Sequence, residues 1–373
     1  MRIDTLTYNN IQTQGAQRRL WLRKHSPQHL QQCTSLILRG PQLRQQSAST
    51  STLVLGAGAC TEIPLAELAR NSGEVVLADY DLASMQQGRD ELASPALRKR
   101  VRVVSCDMSG GVSAHLNRLI EQQHWDKLVN QSSQVVFDAA ANCLEQCNVP
   151  DPPEIEGLYS GEFGVVISSL VLSQLFSYPL LDMLDHIQRS MPAYLGEQER
   201  HRRYQNAAQN FRIRVIQGHV HLLQELLDVG GIVVLLSDVR GFVFEVFGNE
   251  NDSQPRQTLP IVPRSLPELV RKCFQIVEER HWEWITDLPG EGKLGRGYEV
   301  VGYVLKTEKL ENLKREPAME SLFAERQRRV IDGAHHDSHA IVKLHEAALR
   351  DAGFREVGVI WQHMGNRVVM GVR

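Results

Sequence analysis

The chain has 373 residues, 42% of them hydrophobic and 23% charged, with a formal net charge of −3; a single core serves about 250–300 residues, so this length implies one large domain with insertions or two domains. The composition excludes a disordered chain and disfavours nucleic acid as a partner, and no apolar run approaches the roughly 20 residues of a membrane span. With no apolar secretory core near Met1 and six scattered cysteines, the expected setting is cytoplasmic with reduced thiols.

From Met1 to Thr61 the one acidic residue is Asp4, against Arg2, Arg18, Arg19, Arg23, Lys24, Arg39 and Arg44. Leu20, Trp21 and Leu22 lie in a basic, amphipathic stretch that predicts a helix, and Ser47 to Ser51 reads as a linker. Residues 1–50 are therefore expected to form an N-terminal helical cap or lid. Two other readings stay open, a transit segment and a positive field that steers an acidic substrate.

The remainder, 51–373, reads as a strand and helix alternation. Leu53-Val-Leu is a short buried strand stopped by Gly56 and followed by a helix at Ile63 to Arg70. Val75 to Asp79 is a second strand, Met85 to Leu92 a second helix, and Val101 to Asp107 a third strand. Phe163 to Ser169 and Gly231 to Asp238 supply the fourth and fifth, separated by an amphipathic segment from Asn206 to Leu227. This rhythm predicts an α/β fold, a doubly wound and mostly parallel sheet with right-handed crossovers.

Two stretches interrupt the pattern and are read as insertions, at about 108–162 and 240–337. The second is expected to hold a helix from Leu266 to His281, a strand at Tyr298 to Leu305 and a solvated charged helix from Lys306 to Arg329. The chain then predicts a helix at Ala340 to Ala352, stopped by Gly353, and a C-terminal antiparallel hairpin of Glu356 to Trp361 with Arg367 to Val372.

The chemistry concentrates at strand ends. Gly56-Ala57-Gly58-Ala59-Cys60-Thr61-Glu62 follows a strand and opens a helix, where glycine allows a sharp turn and helix N–H groups face a ligand. Alone, Gly-x-Gly serves a dinucleotide, S-adenosylmethionine or a plain turn. Asp79 ends the second strand about 20 residues on, where a carboxylate holds ribose hydroxyls. Asp107 ends the third, where a carboxylate can accept from an adenine amino group. Either could instead cap a helix; the pair downstream of the glycine turn favours a cofactor site.

In this order the segments resemble the class I, Rossmann-like, S-adenosylmethionine-dependent methyltransferase family. Leu53 to Gly58 is similar to its first motif, Ala78-Asp79-Tyr80 to its second and Ser105-Cys106-Asp107-Met108 to its third. Glu162 to Leu175 resembles its fourth-strand pattern, Leu226 to Leu235 its fifth, and Ala347 to Phe354 with the hairpin its last helix and antiparallel strand pair. The resemblance covers roughly Thr52 to Asp107, Phe163 to Asp238 and Ala340 to Arg373. It implies S-adenosyl-L-methionine as cofactor, with Gly56, Ala57, Gly58 and Cys60 beside its methionine part and Asp79 and Tyr80 at the ribose. Asp107 and Met108 would then meet the adenine, and Ser168 and Ser169 border the methyl group.

Val54 stands where the family often has an acid, and Cys60 or Thr61 replaces a third glycine. Glu62 is the expected source of the missing charge toward the methionine ammonium. Methyl transfer needs chiefly an aligned nucleophile in a dry pocket, so no catalytic residue is named. The acceptor is expected to be a small molecule or a protein side chain, lined by Trp21, Tyr159 and Tyr178, with Trp282 and Trp284 as further candidates. Cys143 and Cys147 read as packed thiols and His335 to His339 as a solvated loop, so no metal is expected; the oligomeric state is open. Two other functions stay open, an NAD(P)-dependent oxidoreductase and a non-catalytic scaffold or cofactor sensor.

Overall fold

A computed structural model describes residues 22–44, 50–128, 131–190, 201–244, 257–287, 295–307, 346, 349–350, 353–363 and 366–372. Trp21, His335 to His339 and most of the helix expected at Ala340 to Ala352 lie outside these residues.

The five predicted strands form β1 (Ser51–Leu55), β2 (Glu74–Asp79), β3 (Val101–Ser105), β4 (Phe163–Ser169) and β5 (Leu227–Phe244). Their order is β3-β2-β1-β4-β5, and every neighbouring pair is parallel. Leu53, Val54, Leu55, Val76, Leu77, Val166 and Ile167 are all fully buried. A strand covered on both faces reads as a continuous apolar run, which is why these segments lack alternation.

Between β1 and β2 lies α2 (Leu65–Asn71), and between β2 and β3 lie α3 (Leu82–Asp90) and the short α4 (Pro95–Arg98). The β3-to-β4 connection carries α5 (Val112–Gln122) and α6 (Ser133–Gln146), and that from β4 to β5 carries α7 (Gln174–Ser190) and α8 (Arg202–Leu226). One apolar cluster joins Leu116, Phe137, Phe176, Phe211 and Leu223 to Val166 and Val233. A second joins Leu65, Leu68 and Met85 to Val54, Leu77 and Ile167. Helices therefore cover both faces, and the sheet is doubly wound. The direction in which successive strands are added reverses between β1 and β4, which opens a crevice at the carboxyl ends of those two strands.

The first surprise is the N-terminal segment. Pro27–Arg44 forms α1, with Cys33, Leu36 and Ile37 fully buried in the second cluster. Gly40 approaches β4 and β5 so closely that an added Cβ would lie 2.9 Å from a Val165 methyl and 3.1 Å from one of Val234. Arg44 bonds Asp228 at 3.0 Å near the amino end of β5, and Ser26 donates to the Ile285 carbonyl at 2.6 Å. The described part of the expected cap thus lies along a face of the sheet as core, because its apolar stripe supplies the cover that β4 and β5 need there.

The second is the far edge of the sheet. The helix expected from Leu266 to His281 ends at Arg271 as α9 (Leu266–Arg271), and Phe274–Asp287 is strand β7. Its Ile276, Trp282, Trp284 and Ile285 are β-formers that find cross-strand partners, and this pairing overrides a helical reading of their spacing. β8 (Gly295–Thr307) pairs antiparallel with β5 on one side and β7 on the other, and short β6 (Gln257–Pro260) pairs with the distal part of β5. Lys306 and Thr307 end β8, and the rest of the charged helix expected from Lys306 to Arg329 lies outside the described residues. The antiparallel pair that completes the main sheet is therefore β7 and β8, from the stretch read as the second insertion. The C-terminal hairpin exists as β9 (Glu356–His363) and β10 (Asn366–Val372), but it forms a separate two-stranded sheet.

Since Leu36 has no exposed surface, Leu36→Ala is expected to cost about 2–5 kcal/mol of folding free energy. Urea denaturation followed by circular dichroism checks this; a loss under about 1 kcal/mol, the range of an exposed residue, would show that α1 is not core.

Candidate functional site at the carboxyl edge of the sheet

The loop after β1 turns on three left-handed residues, Gly56 (φ 72°), Gly58 (φ 45°) and Cys60 (φ 55°). Gly56 accepts no side chain: a Cβ would sit 2.6 Å from Val171 Cβ and 2.9 Å from the Ser169 carbonyl. The β1 loop and the loop leaving β4 are thus in contact at the switch point. Gly58 has the opposite setting, with nothing within 4 Å of where a Cβ would point. Its backbone faces open space, as a ligand cradle requires.

Asp79, half-buried at the end of β2, locks this turn. Its Oδ2 accepts from the Gly58 amide at 2.9 Å and its Oδ1 from the Asp81 amide at 3.0 Å. Burial raises its pKa, opposed by these bonds. Tyr80, the next residue, is 64% exposed, an aromatic surface left open beside the carboxylate.

At the end of β3, Asp107 is exposed and organises its own loop. Oδ1 accepts from the Ser109 amide (2.8 Å) and hydroxyl (2.6 Å), and Oδ2 from the Gly111 amide (3.0 Å). Asp107 does not cap the helix that follows, whose N-cap is Gly111; with both acceptor sites of Oδ1 used, Oδ2 retains a lone pair. Cys106 lies between the two acids: burial, Asp79 and Asp107 together push its thiol up to about 12. Met108 and Ser109 are buried beneath them.

Ser168 and Ser169 end β4, both buried. The Ser168 hydroxyl turns inward to Nε2 of His219 on α8 at 2.9 Å, and Ser169 offers its carbonyl to the Gly56 contact. Leu170 then takes a left-handed φ of 54°, an uncommon conformation for a branched side chain. Farther on, the Ser173 hydroxyl donates to Oδ1 of Asp238 at 2.5 Å. Asp238 extends β5 past β4, and burial pushes its carboxyl up to about 6. Neither His219 nor Asp238 was singled out in the sequence. Asp238 ends its parallel strand run as Asp79 and Asp107 end theirs, a signal that was there to read; the partner of Ser168 was not, since 51 residues separate it from His219.

The aromatic candidates scatter. Tyr178 is half-buried in the second turn of α7, on the carboxyl side. Tyr159 is 69% exposed, and its amide bonds Glu162, which pairs with Arg102 near the amino end of β3. It therefore stands at the edge opposite the glycine turn, and β4 separates the two. Trp282 and Trp284 belong to the packing beneath α1: Trp282 donates to His29 Nδ1 at 2.9 Å, and Trp284 stacks on the His29 ring at 4.4 Å. Glu62 is half-buried, and its charge helps raise the pKa of Cys33 on α1, so it lies on the α1 side of the loop.

No family model matches this chain, and no curated protein does. Among solved structures it is similar to the N-methyltransferase NodS of Bradyrhizobium japonicum bound to S-adenosylhomocysteine, at 9% identity over 76% of this chain and 87% of that one, with a TM-score of 0.32. A SAM-dependent methyltransferase of Aquifex aeolicus aligns at 10% identity over 73% and 88%, TM-score 0.30. The glycopeptide N-methyltransferase MtfA in complex with S-adenosylmethionine aligns at 13% over 72% and 92%, TM-score 0.32. Likenesses of this size leave the sheet order and the residues at its carboxyl edge as the grounds for a functional reading.

Two outcomes test the site's construction. Gly56→Ala is expected to destabilise the fold or shift the β4 loop, because the new methyl collides with backbone and a Cβ; a thermal midpoint equal to that of the parent would refute the contact. His219 is fully buried, and burial lowers its pKa to about 4 against 6.5 for the ordinary group. The unfolded chain thus binds a proton that the folded chain refuses, so stability is full above pH 6.5 and is lost as pH falls through 4, on the order of 3 kcal/mol. His29, lowered to about 3 by burial, acts in the same direction. His219→Gln should flatten the thermal midpoint between pH 6.5 and 4 relative to the parent.

Proposed function

We propose that the protein is an S-adenosyl-L-methionine-dependent methyltransferase acting on a small-molecule acceptor. The observation that carries this reading is the carboxyl edge at the switch point, where an open glycine turn is bonded to Asp79 and a second carboxylate, Asp107, follows on the next strand. The residues fit the cofactor: Gly58 leaves room for its close approach, Asp79 is a carboxylate beside that turn able to accept from a ribose hydroxyl, exposed Tyr80 offers a ring face, and Asp107 can accept from an exocyclic amine. In this reading Ala57 and Cys60 line the methionine end with Gly56, while Met108 supports the adenine from below. Ser169 borders the methyl group through its backbone, and Ser168 is withdrawn toward His219.

Bound there, the cofactor would supply an electrophilic methyl group on a sulfonium. The protein's share is to hold it, exclude water and aim the acceptor. Tyr178 at the start of α7 is the acceptor-lining residue retained from the sequence. Glu62 remains the proposed source of negative charge toward the methionine ammonium, acting from the α1 side of the loop.

The far edge of the sheet separates this reading from a nicotinamide oxidoreductase. The dinucleotide-binding sheet continues past its fifth strand with a parallel sixth, whereas here β8 runs antiparallel beside β5. A scaffold without turnover is the remaining alternative, and product formation decides it.

Calorimetry with S-adenosylhomocysteine and NADH tests the reading. S-adenosylhomocysteine is expected to bind and NADH not to. Asp79→Asn should weaken the former about 10–100-fold, the loss of charge-assisted hydrogen bonds worth about 1.5–3 kcal/mol, and Glu62→Gln should weaken it by less. Tight NADH binding without S-adenosylhomocysteine binding would reverse the assignment.

A further inference from the structure

We propose that Asp238 faces the transferred methyl group from the acceptor side and takes the proton that the acceptor loses, an inference that rests on the methyl-transfer reading above. Its position comes from strand register. Ser169, the last residue of β4, pairs with Leu236 of β5, so Asp238 stands one side-chain period beyond it on the same face of the sheet. The β5–β8 register shifts directly afterwards, between Asp238 and Arg240. Such a bulge bends the strand and re-aims a side chain, and bulges gather beside active sites.

The second observation is the tether. Ser173, in the loop that leaves β4, donates its hydroxyl to Asp238 Oδ1. That loop starts with left-handed Leu170 and lays Val171 against Gly56. Asp238 is thereby tied to the structure that abuts the glycine turn, one strand over from it. A strained backbone at Leu170 and a tethered carboxylate beside a register shift coincide at the lip of the crevice.

The third is charge. Arg240, two residues along β5, is held by both oxygens of Glu299 on β8, at 3.0 and 2.9 Å. On the carboxylate, Ser173 is the side-chain donor among the described residues, while the Ser237 hydroxyl donates to the Asp238 backbone carbonyl. Burial holds this carboxyl near 6 while the Ser173 bond pulls it down. Such a group is ionised at neutral pH and basic enough to accept a proton, the balance a general base needs.

In the step, the acceptor's nitrogen or oxygen forms a bond to the methyl carbon and the methyl–sulfur bond breaks with its electrons staying on sulfur. The acceptor's proton passes to Asp238 Oδ2 and then to solvent. The acceptor class is therefore one bearing an N–H or O–H that must be lost: a primary or secondary amine or a hydroxyl compound.

The test needs no acceptor. The full-length protein, carrying aspartate labelled with carbon-13 at Cγ, is titrated by NMR alone, with S-adenosylmethionine and with S-adenosylhomocysteine. Asp238→Asn identifies the resonance by its loss; Ser173→Ala, which removes the hydroxyl donor, identifies it independently by moving its midpoint upward. The free protein is expected to titrate near 6. The sulfonium carries a positive charge that the thioether lacks, so the midpoint should lie about one pH unit lower with S-adenosylmethionine. Equal midpoints with both ligands bound would overturn the assignment of Asp238 and leave the cofactor reading standing. Failure of both ligands to bind would overturn the cofactor reading and this proposal with it.

Discussion

Everything at the carboxyl edge depends on one contact, the packing of the β1 loop against the β4 loop at the switch point. Gly56 can occupy its place only because it has no Cβ, with Val171 and the Ser169 carbonyl already where one would go. The contact is forced by the sheet: β1 and β4 are parallel neighbours from Thr52–Val165 to Leu55–Ser168, so their loops emerge side by side. Because the connections after β1 and β4 pass to opposite faces, a crevice opens between them. The Asp79 bond to Gly58 and the Ser173 bond to Asp238 then pin the two lips of that crevice from β2 and β5.

The cover on the sheet's faces is what makes this edge rigid. α1 fills the groove over β4 and β5, with Leu36 and Ile37 fully buried. It is fastened by Arg44 to Asp228 and by Arg39 to Glu278, the latter also held by Arg280. These pairs are partly exposed, so their main effect is to orient the helix, and apolar burial carries most of the free energy. On the opposite face α8 supplies His219, whose neutral ring meets Ser168 in a site with no surface exposed. A hydroxyl at the tip of β4 is thus spent on internal structure, which leaves the backbone of Ser169 and the side chains of the following loop to face outward.

Three acids stand at the carboxyl edge of the parallel strands, Asp79 at the end of β2, Asp107 two residues past β3 and Asp238 where β5 runs on past β4, and their surroundings make them differ. Asp107 is exposed and bonded to a hydroxyl and two amides of its own loop. Asp79 is half-buried and holds a turn on the neighbouring strand. Asp238 has a single side-chain donor on its carboxylate, and burial pushes that carboxyl up to about 6. Identical side chains along one edge of the sheet therefore acquire separate surroundings from burial and hydrogen bonding.

How much of this was legible in the sequence follows from the range of the interactions involved. Buried parallel strands write themselves as short apolar runs, and turns as glycines, so β1 to β5, the Gly56 turn and the strand-end acids Asp79 and Asp107 could be read locally. The fate of Leu266 to Asp287 could not, because a segment rich in Trp and Ile is settled by its partner strand, and β8 lies farther along the chain. Nor could the role of Pro27–Arg44, whose apolar stripe fits a lid or a core and is decided by the uncovered face of β4 and β5. Local chemistry determined the five parallel strands and the glycine turn. Tertiary structure alone decided which antiparallel pair completes the sheet, that Ser168 serves His219 and that Asp238 is tied to the β4 loop, since each depends on a contact between residues that only the folded sheet brings together.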